Sequence, residues 1–248
     1  MRLVVWPVPP ARALASALDG VVTAVAEAEP HEARAALAEG RADLALVPTL
    51  DVLRDYAGLA LVPGVGLVGE RGPRRRLVVG SALDAVRTVA FDPRDAQEAL
   101  LAQLVLREHY GAAPTFTLRA PGTPLRDALA GASAALAALD EDAPEGAVAL
   151  DLGQEWTDLT LRPMPWALLA APAGALDAQA ARQLRDAVRA APPTDGLLQD
   201  GVGVYQLTLD GYAAEGLSQL AEHLFATGTL GEIPDLPFVD PEAEPADG

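Results

Sequence analysis

Short apolar runs alternate with amphipathic segments along most of the chain. Residues 3–8 form an apolar run that stops at Pro9-Pro10 and predicts a first strand. Residues 11–18 predict a short helix and residues 21–25 a second strand. A helix over 31–39 is closed by Gly40, a residue suited to a helix C-terminus. Residues 43–47 read as a buried strand, with Thr49 as the capping residue of a short helix that reaches Tyr56. Strands are predicted at 77–79 and 88–91. An amphipathic helix follows over 96–110, with Leu100, Leu101, Leu104 and Val105 on one side. Further along come a strand at 115–118, a helix at 124–130, an apolar strand at 134–139 and a helical segment at 154–159. A strand at 166–170 leads into a helix at 175–189, and an extended segment at 205–209 leads into a last helix at 210–226.

This alternation predicts the α/β class, with parallel or mixed sheets covered by helices. Two such groups, over 1–80 and 85–170, predict two lobes with the chain returning to the first. The lobe boundaries expected are 1–82 with 170–240 for the first and 83–169 for the second. Residues 241–248 then form a disordered acidic tail.

Composition narrows the function classes. The 248 residues are half apolar, yet no run approaches the roughly 20 apolar residues of a membrane span. The N-terminal apolar segment is too short for a secretory signal, so a cytoplasmic location is expected. A net charge of −17 opposes nucleic acid as a partner, because phosphates need a basic face. With no cysteine there is no disulfide, thiolate nucleophile or zinc–thiolate site. All 18 basic residues are arginine, which excludes a Walker lysine and Schiff-base chemistry on lysine. His31, His109 and His223 fall on separate predicted helices with no partner at metal spacing, so no metal or other cofactor is expected. The sequence sets no oligomeric state.

The segment PGVGLVGERGPRRRLVVGS, residues 63–81, carries Gly64, Gly66 and Gly69 in the pattern G-x-G-x-x-G. That pattern cradles phosphate only where a strand precedes it and a helix begins after it. Here a charged segment and the strand-like run 77–79 follow instead, so the nucleotide mechanism is missing. Arg74, Arg75 and Arg76 could hold a carboxylate, since a guanidinium binds it with two parallel hydrogen bonds. Strand alternation would put Arg74 and Arg76 on one face and Arg75 on the other. Glu155 and Asp158 read as exposed helix charges.

Several segments together resemble one family. GRADLALVPTLDVLRDY (40–56), followed by VPGVGLVGERGP (62–73), is similar to the pattern G-x-x-D-x-A-L-x-P-S and then S-x-G-P-V-x-S-V of menaquinone-biosynthesis proteins of the futalosine pathway, chiefly chorismate dehydratase. LDLGQEWTDLTLRPMPWALLA (150–170) resembles that family's D-L-G-x-x-W segment, and residues 205–238 resemble its C-terminal helix and tail. The resemblance runs from about residue 2 to residue 238. It implies a two-lobed fold like that of type 2 periplasmic binding proteins, with a small-molecule ligand, a carboxylate being the candidate, held in an interlobe cleft. Carried over residue by residue, the ligand-binding positions are Pro9, Pro10, Thr49, Gly72, Arg76, Asp95, Ala96, Gln97 and Asp140. Asp151, Leu152, Gly153 and Trp156 keep the family pattern, with packing and turn geometry as their expected role.

The carried-over site departs from the family. Pro10 stands where the family has asparagine, Arg76 where it has serine, and Asp95, Ala96, Gln97 and Glu98 where it has a hydroxyl-rich helix start. Only Thr49 keeps a hydroxyl. The expectation is therefore dehydration of chorismate to an enolpyruvyl benzoate by an altered site, with non-catalytic small-molecule binding as the alternative.

Overall fold

A computed structural model describes residues 1–191 and 205–242. In chain order the elements are β1 (Arg2–Val5), α1 (Pro9–Ala17), β2 (Ala24–Glu27), α2 (Pro30–Ala38), β3 (Leu44–Pro48), α3 (Thr49–Arg54) and β4 (Leu59–Gly69). Next come β5 (Arg75–Val79), β6 (Thr88–Phe91), α4 (Ala96–Glu108), β7 (Thr115–Leu118), α5 (Leu125–Gly131), β8 (Ala134–Ala138), β9 (Val148–Leu150) and α6 (Leu152–Thr160). The chain closes with β10 (Met164–Pro172), α7 (Ala178–Ala190), β11 (Tyr205–Thr208) and α8 (Gly211–Ala226). Among the described residues no helix is long and apolar enough to cross a membrane.

Two compact units result: Met1–Gly69 with the chain from Met164 onward, and Glu70–Pro163. The first holds a six-stranded sheet in the order β11-β4-β10-β3-β1-β2. In it β1 pairs parallel with β2 and β3, and β10 lies antiparallel between β3 and β4. Leu3, Val5, Leu44, Leu46, Leu61 and Leu67 are buried in its core, and α8 packs on β10. The second unit holds a five-stranded sheet in the order β7-β6-β8-β5-β9. There β6 is parallel to β7 and β8, while β5 is antiparallel to β8 and β9. Its core includes Val78, Ala90, Leu125, Ala128 and Ala135. The strand AALAA of β8 has side chains small enough for α5 to pack close.

The division falls at residues 69/70 and 163/164, where the sequence reading placed it near 82 and 170. The run Leu77-Val78-Val79 reads equally well as the last strand of one unit or the first of the next. Pairing decides: β5 bonds to β8 and β9, and β10 pairs from end to end with β4 and over residues 167–170 with β3. Strand β9, only three residues long, had no sequence signal of its own. The first strand ends at Val5, earlier than predicted, and residues 6–8 bend into α1, whose first turn holds Pro9 and Pro10, where a proline's missing N–H costs nothing. Most of the expected acidic tail, residues 243–248, lies outside the described residues. Pro241 lies within them, and its carbonyl accepts a hydrogen bond from Arg182 Nη1.

The glycine pattern lies inside β4 and forms no phosphate loop. Gly64, at φ +69°, sits where the pairing of β4 with β10 jumps from Gly66↔Leu168 to Leu61↔Ala170, an irregularity that a positive φ accommodates. At Gly66 an added Cβ would stand 2.8 Å from the Ala167 carbonyl oxygen, so only glycine lets β10 come this close. Gly66→Ala is therefore expected to cost about 1–3 kcal/mol in denaturant unfolding. Gly131→Ala, at a position with open space around it, should stay within about 0.5 kcal/mol. Equal losses at the two positions would contradict this assignment.

Candidate functional site

Each unit carries the same local winding. In the first, β1 leads through α1 to β2 on one side, and α2 then carries the chain to β3 on the other side of β1. In the second, β6 leads through α4 to β7, and α5 returns the chain to β8 on the other side of β6. Where successive connections leave in opposite directions, the carboxyl ends of the two central strands stand apart and open a crevice. The sequence-predicted residues gather at these strand ends within each unit.

In the first unit the ends of β1 and β3 present Pro9, Pro10 and Thr49. Pro9 is exposed and Pro10 buried, both in the first turn of α1. Neither supplies a side-chain donor or a backbone N–H. The two strand ends are held together by Trp6, whose indole Nε1–H donates to the Leu46 carbonyl at 2.8 Å. Thr49 is the first residue of α3 rather than its cap: the N-cap is Pro48, and no side-chain cap bond forms. Thr49 is fully buried, and its Oγ1 has no hydrogen-bond partner among the described residues. A buried hydroxyl left in that state is costly unless something meets it.

In the second unit β5 runs antiparallel to β8, so its first residues lie beside the carboxyl end of β8 (Arg76↔Ala137). That places Arg74, Arg75 and Arg76 at the same edge as residues 92–98, which link β6 to α4. Asp95, the N-cap residue of α4, is completely buried and makes no side-chain cap bond to the helix. Its carboxylate is turned to the arginines instead: Oδ2 accepts from Arg75 Nε at 2.9 Å, and Oδ1 lies 3.5 Å from Arg74 Nη2. Glu98, at i+3 on the same helix face, accepts from Arg74 Nη1 at 3.1 Å. Burial pushes the Glu98 carboxyl above the usual carboxylate range, with Arg74 pulling the other way. Asp92 takes Arg94 through both oxygens, at 2.9 Å from Nε and 2.6 Å from Nη2. The Arg94 side-chain hydrogen bond, opposed by burial, holds the Asp92 carboxyl down to about 2.

Arg76 does something different. Its Nη2 donates to the Glu141 carbonyl, and its Nε is buried with no hydrogen-bond partner among the described residues. Of the remaining predicted residues, Ala96 is exposed in the first turn of α4, Gln97 is buried, and Asp140 is exposed just past β8. The expected facing of Arg74 with Arg76 against Arg75 does not hold. Arg74 precedes the strand, so alternation does not govern it, and both Arg74 and Arg75 reach Asp95. Asp95 is therefore held by Arg74 and Arg75, and Arg76 is not among its partners. Sequence reasoning passed over Glu98 as part of this cluster, although its i+3 spacing from Asp95 was the available signal. Glu155 is not an exposed charge: it accepts from Tyr110 Oη at 2.7 Å and pairs with His109 at 3.2 Å. Among the described residues no group of three or more His, Asp or Glu could hold a metal ion.

Gly72 is fixed by its backbone. Asp151 Oδ1 accepts N–H bonds from Gly72 at 2.9 Å, from Gly153 at 2.9 Å and from Gln154 at 3.1 Å. One carboxylate thus caps α6 and pins the turn ahead of the arginines. At Gly153 a Cβ would stand 2.5 Å from the Arg71 carbonyl carbon, so the glycine is a requirement of that contact.

Two stability predictions follow from the ion pairs. Arg74→Met leaves Glu98 buried without its partner and Asp95 with one arginine fewer, and should cost about 3–5 kcal/mol in denaturant unfolding. Arg74→Met combined with Glu98→Leu should recover part of that loss; an additive double variant would contradict the pairing. Asp92, held at about 2 against an ordinary value of 3.8, favours the charged form in the fold. Its stabilisation is therefore complete above about pH 4 and is lost as pH falls toward 2. Asp43, held to about 2 by Arg2, titrates in the same window. Asp92→Asn should accordingly flatten the acid limb of the stability profile only in part, by roughly 1 kcal/mol given the exposure of Arg94. An unchanged acid limb would contradict the assignment.

Solved structures place this fold among the binding-protein-like α/β folds. Protein AF1704 from Archaeoglobus fulgidus has a TM-score of 0.63 at 14% identity, over 92% of this chain and 98% of that one. The periplasmic aliphatic sulphonate binding protein SsuA from Escherichia coli has a TM-score of 0.57 at 16% identity, over 97% and 90%. The alkanesulfonate-binding protein SsuA from Xanthomonas axonopodis pv. citri, bound to MOPS, has a TM-score of 0.54 at 18% identity, over 95% and 94%. At these identities the likeness is one of fold, the two-lobed type of periplasmic binding proteins. No curated protein matches the chain in sequence. The family model described as menaquinone biosynthesis matches residues 1–193, and on that match the chain belongs to the menaquinone biosynthesis family.

Proposed function

We propose that this chain is a cytoplasmic menaquinone-biosynthesis protein that binds a small organic molecule at the strand ends described above. Its site resembles that of chorismate dehydratases but is altered, so that chorismate is turned over weakly or not at all. The observation that carries this reading is the state of residues 92–98. In the resembling family a hydroxyl-rich helix start stands there; here the position holds Asp95, clamped by two arginines, and Glu98, held by one of them.

Dehydration of chorismate needs a proton removed, a hydroxide released and the anion held still between those events. Loss of a single preorganised donor typically costs about 3–4 kcal/mol of transition-state stabilisation. Pro10 offers no donor, the Gly72 N–H is committed to Asp151, and Arg74, Arg75 and Arg94 are committed to carboxylates of the same unit. Among the sequence-predicted ligand positions, the buried side-chain atoms without a hydrogen-bond partner among the described residues are Thr49 Oγ1 in the first unit and Arg76 Nε in the second. Each supports retained binding of a small ligand at the strand ends of its own unit; neither rebuilds the full set of contacts.

The second reading, dehydration rebuilt around arginine, is favoured by one fact, the unpartnered Arg76 Nε. Incubation of the purified protein with chorismate, following the enolpyruvyl benzoate product, separates the two. The expected result is turnover at least about a thousandfold below ordinary enzyme rates, with thermal stabilisation by small organic ligands that Thr49→Val weakens. Turnover at ordinary rates, abolished by Arg76→Ala, would overturn the proposal in favour of a rebuilt active site.

A further inference from the structure

We propose that the first unit carries a second small-molecule site, between α8 and the chain that follows it, and that this site takes an apolar molecule with a cationic head. None of the positions carried over by resemblance lines it, so it goes beyond the small-ligand reading above. The site follows from how the C-terminal segment is laid on the sheet. Strand β11 pairs with β4 only between Val65 and Gly69, which leaves the same edge of β4 open at Leu61. Beyond α8 the chain reaches back to that edge. The Leu61 N–H donates to the Pro237 carbonyl at 2.9 Å, and the Val239 N–H donates to the Leu61 carbonyl at 3.0 Å. Between this segment and α8 remains a cavity of about 510 Å³, within the range of small-molecule sites, roughly 300–1,000 Å³. Helix α8 turns one face to it: Ala214, Leu217, Ser218, Ala221 and Glu222, at i, i+3, i+4, i+7 and i+8. Ile233, Leu236 and Phe238 line it from the C-terminal segment, and Leu53 adds to the apolar wall. Ile233 and Phe238 stay 52% and 36% exposed, large apolar side chains that the fold itself leaves uncovered.

Charge sets the class of ligand. Glu222 and Asp235 both line the cavity, and neither carboxylate has a hydrogen bond or ion pair among the described residues. No arginine or histidine among the described residues lines it. Arg185 and Arg189 of α7 approach Gly64 where a Cβ would stand, and Arg185 is already paired with Asp186 and Glu242. The remaining polar group on the helix face is Ser218, whose hydroxyl donates to the Ala214 carbonyl at 3.3 Å and so keeps only lone pairs for a ligand. Two carboxylates and an accepting hydroxyl call for a donor with positive charge. An anion would meet like charge here, and a neutral molecule would leave both carboxylates unmatched. An ammonium group can pair with them while an apolar body covers Leu217, Leu236 and Phe238.

The test compares tryptamine with tryptophol by isothermal calorimetry; the two share an indole and end in an ammonium and a hydroxyl. Wild-type protein should bind tryptamine about fivefold more tightly, the scale of two exposed ion pairs. Glu222→Gln combined with Asp235→Asn should equalise the two affinities and leave tryptophol binding in place. Ser218→Trp sets an indole of the protein's own into the cavity from an exposed helix position, and should abolish binding of both probes. Merely structural carboxylates would lower the melting temperature of the double variant without moving the tryptamine-to-tryptophol ratio. Equal affinities in the wild type, a ratio unchanged in the double variant, or binding that survives Ser218→Trp would each overturn the inference. Binding of neither probe would overturn it too, and would leave the strand-end reading to its own test with chorismate and Thr49→Val. If circular dichroism shows Ser218→Trp unfolded, the ratio in the wild type and in the double variant decides.

Discussion

The carboxylate of Asp95 and the two guanidiniums that hold it organise the second unit around a buried charge. A carboxylate with no solvent exposure is tolerable only when paired and hydrogen-bonded, and removing one partner leaves a charge that neither water nor the fold can compensate. The cluster therefore ties three pieces of chain to one another: the start of β5, the link after β6 and the first turn of α4. Nearby, Asp92 and Arg94 close the same link from its other end. Arg74, Arg75 and Arg94 are thereby set against Asp92, Asp95 and Glu98, while Arg76 at the same edge meets the Glu141 carbonyl instead of a carboxylate.

Backbone approaches position this cluster. Asp151 accepts three N–H groups at the start of α6, one of them from Gly72, two residues before Arg74. Gly153 lets the 71–72 turn lie against the helix where any larger residue would collide with Arg71. In the first unit Gly66 does the equivalent for β10 against β4. These glycines and the aspartate act through geometry, and the chemistry they position is carried by other residues.

The alternation of apolar runs with amphipathic segments made the α/β class and most elements legible in the sequence. Strands β6 and β7 have the limits that the pattern predicts. The division between units was not legible, since the run at 77–79 carries no mark of which sheet it will join. Nor was the character of residues 64–69: glycines that suggest a loop are needed inside β4 for a bulge and a close approach. Of the positions carried over by resemblance, Pro9, Pro10 and Thr49 lie at strand ends of the first sheet, and Arg76, Asp95, Ala96, Gln97 and Asp140 at strand ends of the second. What the sequence could not supply was the choice of partner. Of the carried-over charges, Asp95 is taken by Arg74 and Arg75, and Arg76 turns to the Glu141 carbonyl. Long arginine side chains reach past their nearest neighbours, and spacing alone does not say where they end.

Asp95, held by Arg74 and Arg75, fills the anion position at the start of α4 from within the protein. A crystal structure of the wild-type protein grown in ammonium sulfate tests it most directly, because sulfate competes for any open site made by a helix N-terminus and arginines. The expected result is Asp95 still on Arg75, at about the present 2.9 Å between Oδ2 and Nε, with no sulfate between them. A sulfate seated on Arg75 and the first turn of α4, with the Asp95 side chain displaced, would contradict it.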